Sequence, residues 1–343
     1  MWKSGLSILI PVMFLMSILS LSMFELKTMT SFNVHHLTEH KPLLDPRDFG
    51  LPREGLSVNG IAFGWVPDDK IGSSMSLVNE RVGAPGSTMG IYSQVTSADE
   101  FDDYQFTEPS RLRDIISSKA VLIATIMPLI PFETFTPALC AQIASSMRKL
   151  TDEGVFVWLR FAHEMNWYSR DGDGPALHGG NPNLKNTYTG TPVQFIQMWN
   201  ILSEAVKDNL MVKMFWSPNS GQDKDQWFPG PAVVDIIGMD FYPKDRSRTP
   251  EKVYKPIHDN YALKYNLPFV IGETGVKGSS SSEFKMWWLS GVVDSRLKSA
   301  LPNYMSCSWF EFDKTDDPEG YDYTIVLKDG ALLNRTKSIL IPR

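Results

Sequence analysis

The stretch Val155-Phe-Val-Trp-Leu-Arg-Phe-Ala-His-Glu-Met-Asn166 decides how this chain is read. Its first half is β-branched and aromatic with no turn-forming residue, the pattern of a strand buried on both faces. The second half is polar, with Arg160, His163, Glu164 and Asn166 in quick succession. A strand that is apolar along its length and polar at its C-terminal end reads as a barrel strand delivering chemistry at the rim. Alternation of side chains along the strand puts Arg160, Ala162 and Glu164 on one face, so the guanidinium and the carboxylate are expected in one cavity.

Working outward, strand and helix patterns alternate. Strands are predicted over Val58–Trp65, Met89–Val95, Ala120–Pro128, Met211–Trp216, Val233–Tyr242, Pro268–Glu273 and Tyr304–Phe312. Helices are predicted over Ser74–Val82, Arg111–Ser118, Pro137–Thr151, Pro192–Lys207, Pro250–Tyr265 and Ser282–Lys298, with Thr191 placed to cap the fourth. With the central strand this makes eight strands alternating with helices, the order of a (β/α)8 TIM barrel occupying residues 56–343 as one catalytic domain. A doubly wound open sheet would carry a glycine-rich phosphate turn after an early strand, and Asn59-Gly60-Ile-Ala-Phe-Gly64 lacks that spacing.

Residues 1–24 differ from the rest: Lys3 is followed by an apolar run from Gly5 to Phe24, a targeting segment to be kept out of the fold. The small residues Ser20-Leu-Ser22 favour a cleaved signal peptide and a secreted protein, with a retained signal anchor in the membrane as the alternative. Residues 25–55, with Pro42, Pro46 and Pro52, read as a linker or an arm laid on the domain. The net charge of −6 argues against a nucleic-acid or anionic-membrane partner, because such surfaces need a basic surplus. Cys140 and Cys307 are expected as two buried thiols, and Asn334-Arg-Thr336 is a glycosylation sequon.

In such a barrel the working residues lie at the C-terminal ends of strands. Glu164 ends the fourth, and Glu273, in Val270-Ile-Gly-Glu-Thr-Gly275, ends the seventh. Two carboxylates facing across an aromatic-lined cleft suit glycoside hydrolysis, in which one protonates the departing oxygen and the other meets the charge growing on the sugar carbon. Such an acid must be raised: a Glu near pKa 4.3 is only about 0.2% protonated at pH 7, against roughly 10% at a pKa of about 6. Glu164 is assigned that raised role, and Glu273, near Arg160 and Tyr242, the ionised one. Zinc is set aside because no second His follows His163-Glu164 at the required spacing, and Asp171-Gly-Asp173-Gly174 lacks the later acid of a calcium loop. No metal or cofactor is called for. Asp240 is either a buried strut or a substrate contact. Among the tryptophans, Trp167 and Trp309 are chosen as sugar platforms, with Trp216 a further rim candidate.

Arg160-Phe-Ala-His-Glu-Met-Asn166 is similar to the acid/base signature of glycoside hydrolase family 26, the β-mannanase family of the retaining barrel clan. Phe215-Trp-Ser-Pro-Asn219 and Val234-Asp-Ile-Ile-Gly-Met-Asp-Phe-Tyr242 look like that family's fifth and sixth strands. The resemblance implies Glu164 as acid/base and Glu273 as nucleophile. It implies His163 as a sugar contact before the cut, Tyr242 as the group orienting the nucleophile, and Trp309 as the floor of that subsite. The chain departs from the family pattern at Trp167-Tyr-Ser169, in the loop that shapes the sugar cleft. The expected protein is an endo-acting retaining glycosidase, monomeric and without a membrane partner unless residues 1–24 are retained. Its polysaccharide substrate is β-1,4-mannan first, a β-1,3/1,4-glucan second. A catalytically silent glycan-binding barrel is the alternative of another class.

Overall fold

Eight parallel strands close into a ring in chain order. They are β1 (Ile61–Pro67), β2 (Thr88–Val95), β3 (Val121–Pro128), β4 (Val157–Phe161), β5 (Val212–Trp216), β6 (Ile236–Gly238), β7 (Phe269–Thr274) and β8 (Tyr304–Glu311). Closure is made by β1 against β8, in register from Ala62 opposite Ser306 to Pro67 opposite Glu311. This computed structural model describes residues 44–168, 189–277, 281–317 and 320–341. The targeting segment 1–24, the first part of the arm and the Asp171-Gly-Asp173-Gly174 loop lie outside the described residues.

The outer layer comprises α1 (Met75–Val82), α2 (Pro109–Ser118), α3 (Pro137–Asp152), α4 (Pro192–Val206), α5 (Pro250–Ile257), α6 (Ser282–Val292) and α7 (Gly330–Leu340), with shorter helical turns between them. Local sequence sets their starts. Ser74, Thr136 and Thr249 each accept a backbone N–H of the first turn, and Thr191 forms a reciprocal capping box with Gln194. Two expected helices are interrupted. The one predicted over Pro250–Tyr265 passes into a π-helical turn at His258–Leu263, just after Pro256 removes a backbone donor. The one predicted over Ser282–Lys298 stops at Val292, and Asp294 caps a new turn at Ser295–Ala300.

Alternation along the strands sorts the core into two. Val121, Ile123, Trp158, Phe215, Ile236, Val270 and Met305 fill the ring, whereas Leu159, Phe161, Trp216 and Trp309 pack outward among the helices. Residues 44–51 lie across the N-terminal end of the ring: Leu51 is buried with the interior set, and Trp158 donates its indole N–H to the Phe49 carbonyl at 2.8 Å. Cys140 and Cys307 are both free and buried. Asn334 is exposed on α7, while the Thr336 hydroxyl of the same sequon is buried and donates to the Ile325 carbonyl.

The ring interior is closely packed at β6. A β-carbon on Gly238 would lie 2.4 Å from the Val270 carbonyl oxygen and 2.5 Å from the Phe215 ring, and backbone on a central strand cannot yield. Gly238→Ala is therefore expected to cost about 1–3 kcal/mol, read as a lowered urea midpoint with unchanged slope. An unshifted midpoint would show that β6 and Phe215 are not packed this way.

Candidate active site

At the C-terminal end of the ring a cavity of about 530 Å³ is lined by Tyr92, His163, Glu164, Trp167, Asn219, Tyr242 and Glu273, among others. Glu164 and Glu273, 109 residues apart in the chain (273 less 164), are 7% and 4% exposed at its floor. Glu164, Asp240 and Glu273 each bring a carboxylate oxygen within 4.8 Å of the others.

Neither glutamate arrives by simple strand alternation. β4 ends at Phe161, and Ala162 and Glu164 then take left-handed backbone conformations, φ 47° and 53°. Such conformations are uncommon for residues with a β-carbon. They turn the chain so that Ala162 packs among the outer core while both His163 and Glu164 reach the cavity, which the expected face-sharing of 160, 162 and 164 did not anticipate. The Glu164 N–H donates to the Ser217 carbonyl at 2.7 Å, and the helical turn Met165–Tyr168 starts at once. On β7, Ile271 pairs with Cys307 and Thr274 with Trp309, so Gly272 and Glu273 together face one residue of β8. This bulge keeps Ile271 and Thr274 facing outward and returns Glu273 to the interior.

Below the cavity lies a buried ionic knot. The Arg160 guanidinium, 1% exposed, donates to Asp240 and reaches Glu273 Oε1 at 3.5 Å, with Thr125 Oγ1 at 3.4 Å and the Phe215 ring 5.8 Å from its centre. Asp240 Oδ1 also accepts from Ser217 Oγ and from the Glu273 backbone N–H, each at 3.2 Å. Asp240 is thus a strut beneath the two glutamates, every side of which is engaged by protein. Glu273 Oε2 accepts from the Tyr92 hydroxyl, and its other oxygen lies 3.9 Å from His163 Nε2.

Burial dominates the electrostatics of the site. It raises Glu164, opposed by a hydrogen bond from Asn219 and the positive charges of Lys277, Arg160 and Lys314. Burial likewise holds Asp240 up at about 7, with the Glu164 charge adding to it and Arg160 opposing. His163 is pushed well below its usual range by burial and then by Arg160 and Lys314, so its ring is neutral at physiological pH and fit for hydrogen bonding. Burial also lifts Tyr242 well above the ordinary phenol range, keeping its hydroxyl protonated.

The cavity brings together His163, Glu164, Trp167, Tyr242 and Glu273 from the expected set. Arg160 stands under it. Asn166 is buried and acts through Asn219, donating to its carbonyl at 3.1 Å and accepting its N–H at 2.8 Å. Trp216 and Trp309 do not line the cavity. Both face outward, fully buried, with their indole N–H groups donated to the Trp227 and Tyr323 carbonyls. Parity is the reason: on β8 the residues next to Trp309 turn inward, and Phe310 and Phe312, stacked at 4.1 Å, supply the apolar surface expected of Trp309. Glu311, the last residue of β8, points away from the cavity and accepts the N–H groups of Ile325, Val326 and Leu327. Sequence reading passed over Tyr92, although its alternation with Thr88 and Gly90 along β2 was the available signal.

The knot sets a stability test. Removing the cation in Arg160→Met strands Asp240 beside Glu273, and breaking a buried pair costs about 3–5 kcal/mol. Asp240 rises from 3.8 to about 7 on folding, so its charge opposes folding progressively as pH climbs through that window. The deficit of Arg160→Met, measured by urea unfolding, is therefore expected to be largest above pH 7 and to shrink toward pH 4. A deficit independent of pH would show that Arg160 serves packing alone.

Residues 135–265 match the family model described as Glycosyl hydrolase family 26, a span that contains Glu164 and Asp240. A mannan endo-1,4-beta-mannosidase of Bacillus subtilis is 28% identical over 151 residues, 42% of this chain and 38% of that protein, so the match spans well under half of the relative's length. Among solved structures, a Bacillus subtilis mannanase superposes with a TM-score of 0.52 at 17% identity, over 84% of this chain and 87% of that one. A modular endo-beta-1,4-mannanase of Cellulomonas fimi gives 0.54 at 15%, over 86% and 74%. These superpositions share the closed (β/α)8 barrel. Residues 135–265 are thus similar in sequence to glycosyl hydrolase family 26, and the barrel that carries them has the fold of the solved mannanases.

Proposed function

We propose that this protein is an endo-acting retaining glycoside hydrolase of a β-linked polysaccharide, β-1,4-mannan first. The observation that carries the reading is the approach of Glu164 and Glu273 within 4.8 Å at the floor of one cavity. Retaining glycosidases hold their carboxyl groups about 5–5.5 Å apart, and inverting ones need about 6.5 Å or more to admit a water. The mannan preference rests on the mannanase descriptions of the relatives.

In this mechanism the sugar ring lies in the cavity over Glu164 and Glu273, beside His163 and the Tyr92 and Phe312 rings, which pack edge to face with centres 6.2 Å apart. A Glu273 oxygen attacks the anomeric carbon as the glycosidic C–O bond breaks, and Glu164 gives its proton to the departing oxygen. The product of this step is a glycosyl ester on Glu273. Glu164, now ionised, takes a proton from water, the water oxygen bonds to the anomeric carbon, and Glu273 leaves as carboxylate with its starting charge restored. Each carboxylate has surroundings suited to its part. Desolvation favours a protonated Glu164, while Glu273 has the Arg160 guanidinium 3.5 Å away and accepts from the Tyr92 hydroxyl. By residues 1–24 we place the enzyme outside the cell, and N-terminal sequencing of the mature protein distinguishes cleavage from retention as an anchor.

Loss of a positioned proton donor costs about 10²–10⁴-fold, so Glu164→Gln is expected to lose at least that much on mannan while an activated aryl glycoside regains much of the first step. Near wild-type turnover of mannan by the variant would remove Glu164 from the mechanism. Donation requires the protonated form, so kcat/KM on polysaccharide is expected to fall as pH rises through the elevated Glu164 pKa. With the activated glycoside, Glu164→Gln is expected to lack that alkaline limb. Its persistence would assign the limb to another group. Anomeric NMR of the first-formed product is expected to show retention, and inversion would exclude Glu273 as nucleophile.

A further inference from the structure

One bank of the cavity is cationic. Around the ring β6, β7, β8 and β1 are consecutive neighbours, and the loop after each sends one lysine to the cavity lining: Lys244, Lys277, Lys314 and Lys70. The opposite bank, after β2 to β5, presents Gln94, Trp167, Tyr168 and Asn219, with no cation among the described residues.

This distribution runs against the chain as a whole, which has 39 acidic and 33 basic residues. The cavity lining reverses the balance, with four lysines against the three carboxylates of Glu164, Glu273 and Asp317. Those carboxylates neutralise only part of the lysine charge. Asp317 pairs with Lys70 at 3.4 Å, Glu273 is held by Arg160 from below, and desolvation favours Glu164 in its neutral form. Among the described residues Lys244 and Lys314 make no ion pair. Lys314 lies with its ammonium 5.3 Å from the Phe310 ring centre, and Lys277 lies 5.5 Å from that of Tyr242, so both are anchored on rings that face the substrate space. The bank is close to the reacting groups: the charges of Lys277 and Lys314 are felt at Glu164, and that of Lys314 also at His163.

A neutral glycan offers hydroxyl groups, which amides and carboxylates recognise as readily as ammonium ions do. Of the four, Lys244 and Lys314 have no carboxylate partner among the described residues, and an anionic ligand supplies one. We propose that the sugar chain taken by this cavity carries an anionic substituent, a carboxylate or a sulfate ester, on units lying against the loops after β6, β7, β8 and β1. The proposal rests on the hydrolase reading for its glycan and extends it to the charge of the substrate. It would also confer selectivity, because a neutral chain gains nothing from the cationic bank.

The test compares β-1,4-mannan and β-glucan oligosaccharides in neutral, uronate-bearing and sulfated forms, with the full chain, at about 0.01 M and about 1 M salt. Screening lengths there are about 30 Å and about 3 Å. One of the two anionic forms is expected to exceed its neutral counterpart in kcat/KM by roughly tenfold or more at low salt, the scale of a hydrogen bond to a charged group, and to lose that advantage at high salt. Which form wins distinguishes carboxylate from sulfate. Lys314→Gln and Lys277→Gln are each expected to lower the anionic-to-neutral ratio by about tenfold. A neutral preference, or a ratio unmoved by salt and by both variants, would overturn the proposal and leave the hydrolase reading standing. If no oligosaccharide is cut, the hydrolase reading fails, and calorimetric binding of the same panel decides this one. Tighter, salt-sensitive binding of an anionic form supports it, and equal or absent binding overturns it.

Discussion

The guanidinium of Arg160 is the constraint around which the upper half of the barrel is arranged. It is buried in the ring with Asp240 and Glu273 as its two anions, and taking such charges out of water costs several kcal/mol per ion unless each is matched. Matching requires parts from several strands: Thr125 from β3, the Phe215 ring and Ser217 at the end of β5, Asp240 past β6, and the Glu273 carboxylate and backbone N–H of β7. Gly272 is part of the same fit, since a β-carbon there would lie 3.0 Å from Arg160 Nε. Few arrangements of these strands satisfy the knot. The knot therefore fixes Glu273 in a way that apolar packing alone, which tolerates exchange of similar shapes, would not.

Regular strands could not have completed the site. Side chains alternate strictly, so a strand that keeps its outer residues packed under the helices offers the cavity every second position only. Both glutamates are delivered by a departure from that rule. The left-handed turns at Ala162 and Glu164 let two successive residues, His163 and Glu164, face one space, and the bulge at Gly272–Glu273 does the same on β7. Strain of this kind persists only where the surroundings enforce it. Here the Glu164 N–H is held by Ser217, and its carbonyl accepts the N–H groups of Trp167 and Tyr168.

These departures also explain what was legible in the sequence. The eight strands and most helices follow from patterning and caps, because burial and unpaired backbone groups act locally. The glutamates could be read from their place at strand ends, a property of the barrel that needs no atomic detail. Trp216 and Trp309 were misplaced because facing is a matter of single-residue register, and a one-residue error exchanges cavity for outer core. Phe310 and Phe312 were the residues on the inward register. Tyr92 carried no motif. Its value comes from standing across the ring from Glu273, 181 residues away, a relation that only closure creates.

The same closure gives the two carboxylates different characters although both are buried to a similar degree. Glu273 meets a fixed cation and a hydroxyl donor, whereas Glu164 takes a hydrogen bond from the amide of Asn219, a residue held in place by Asn166. An amide can donate to a carboxylate and can accept from a carboxylic acid by turning over, so Asn219 supports Glu164 in both protonation states. A guanidinium has no such second role, since it only donates. The group proposed to exchange a proton twice in each cycle thus sits beside a partner that tolerates either form. The group proposed to bond to carbon sits beside one that favours the carboxylate to which it must return.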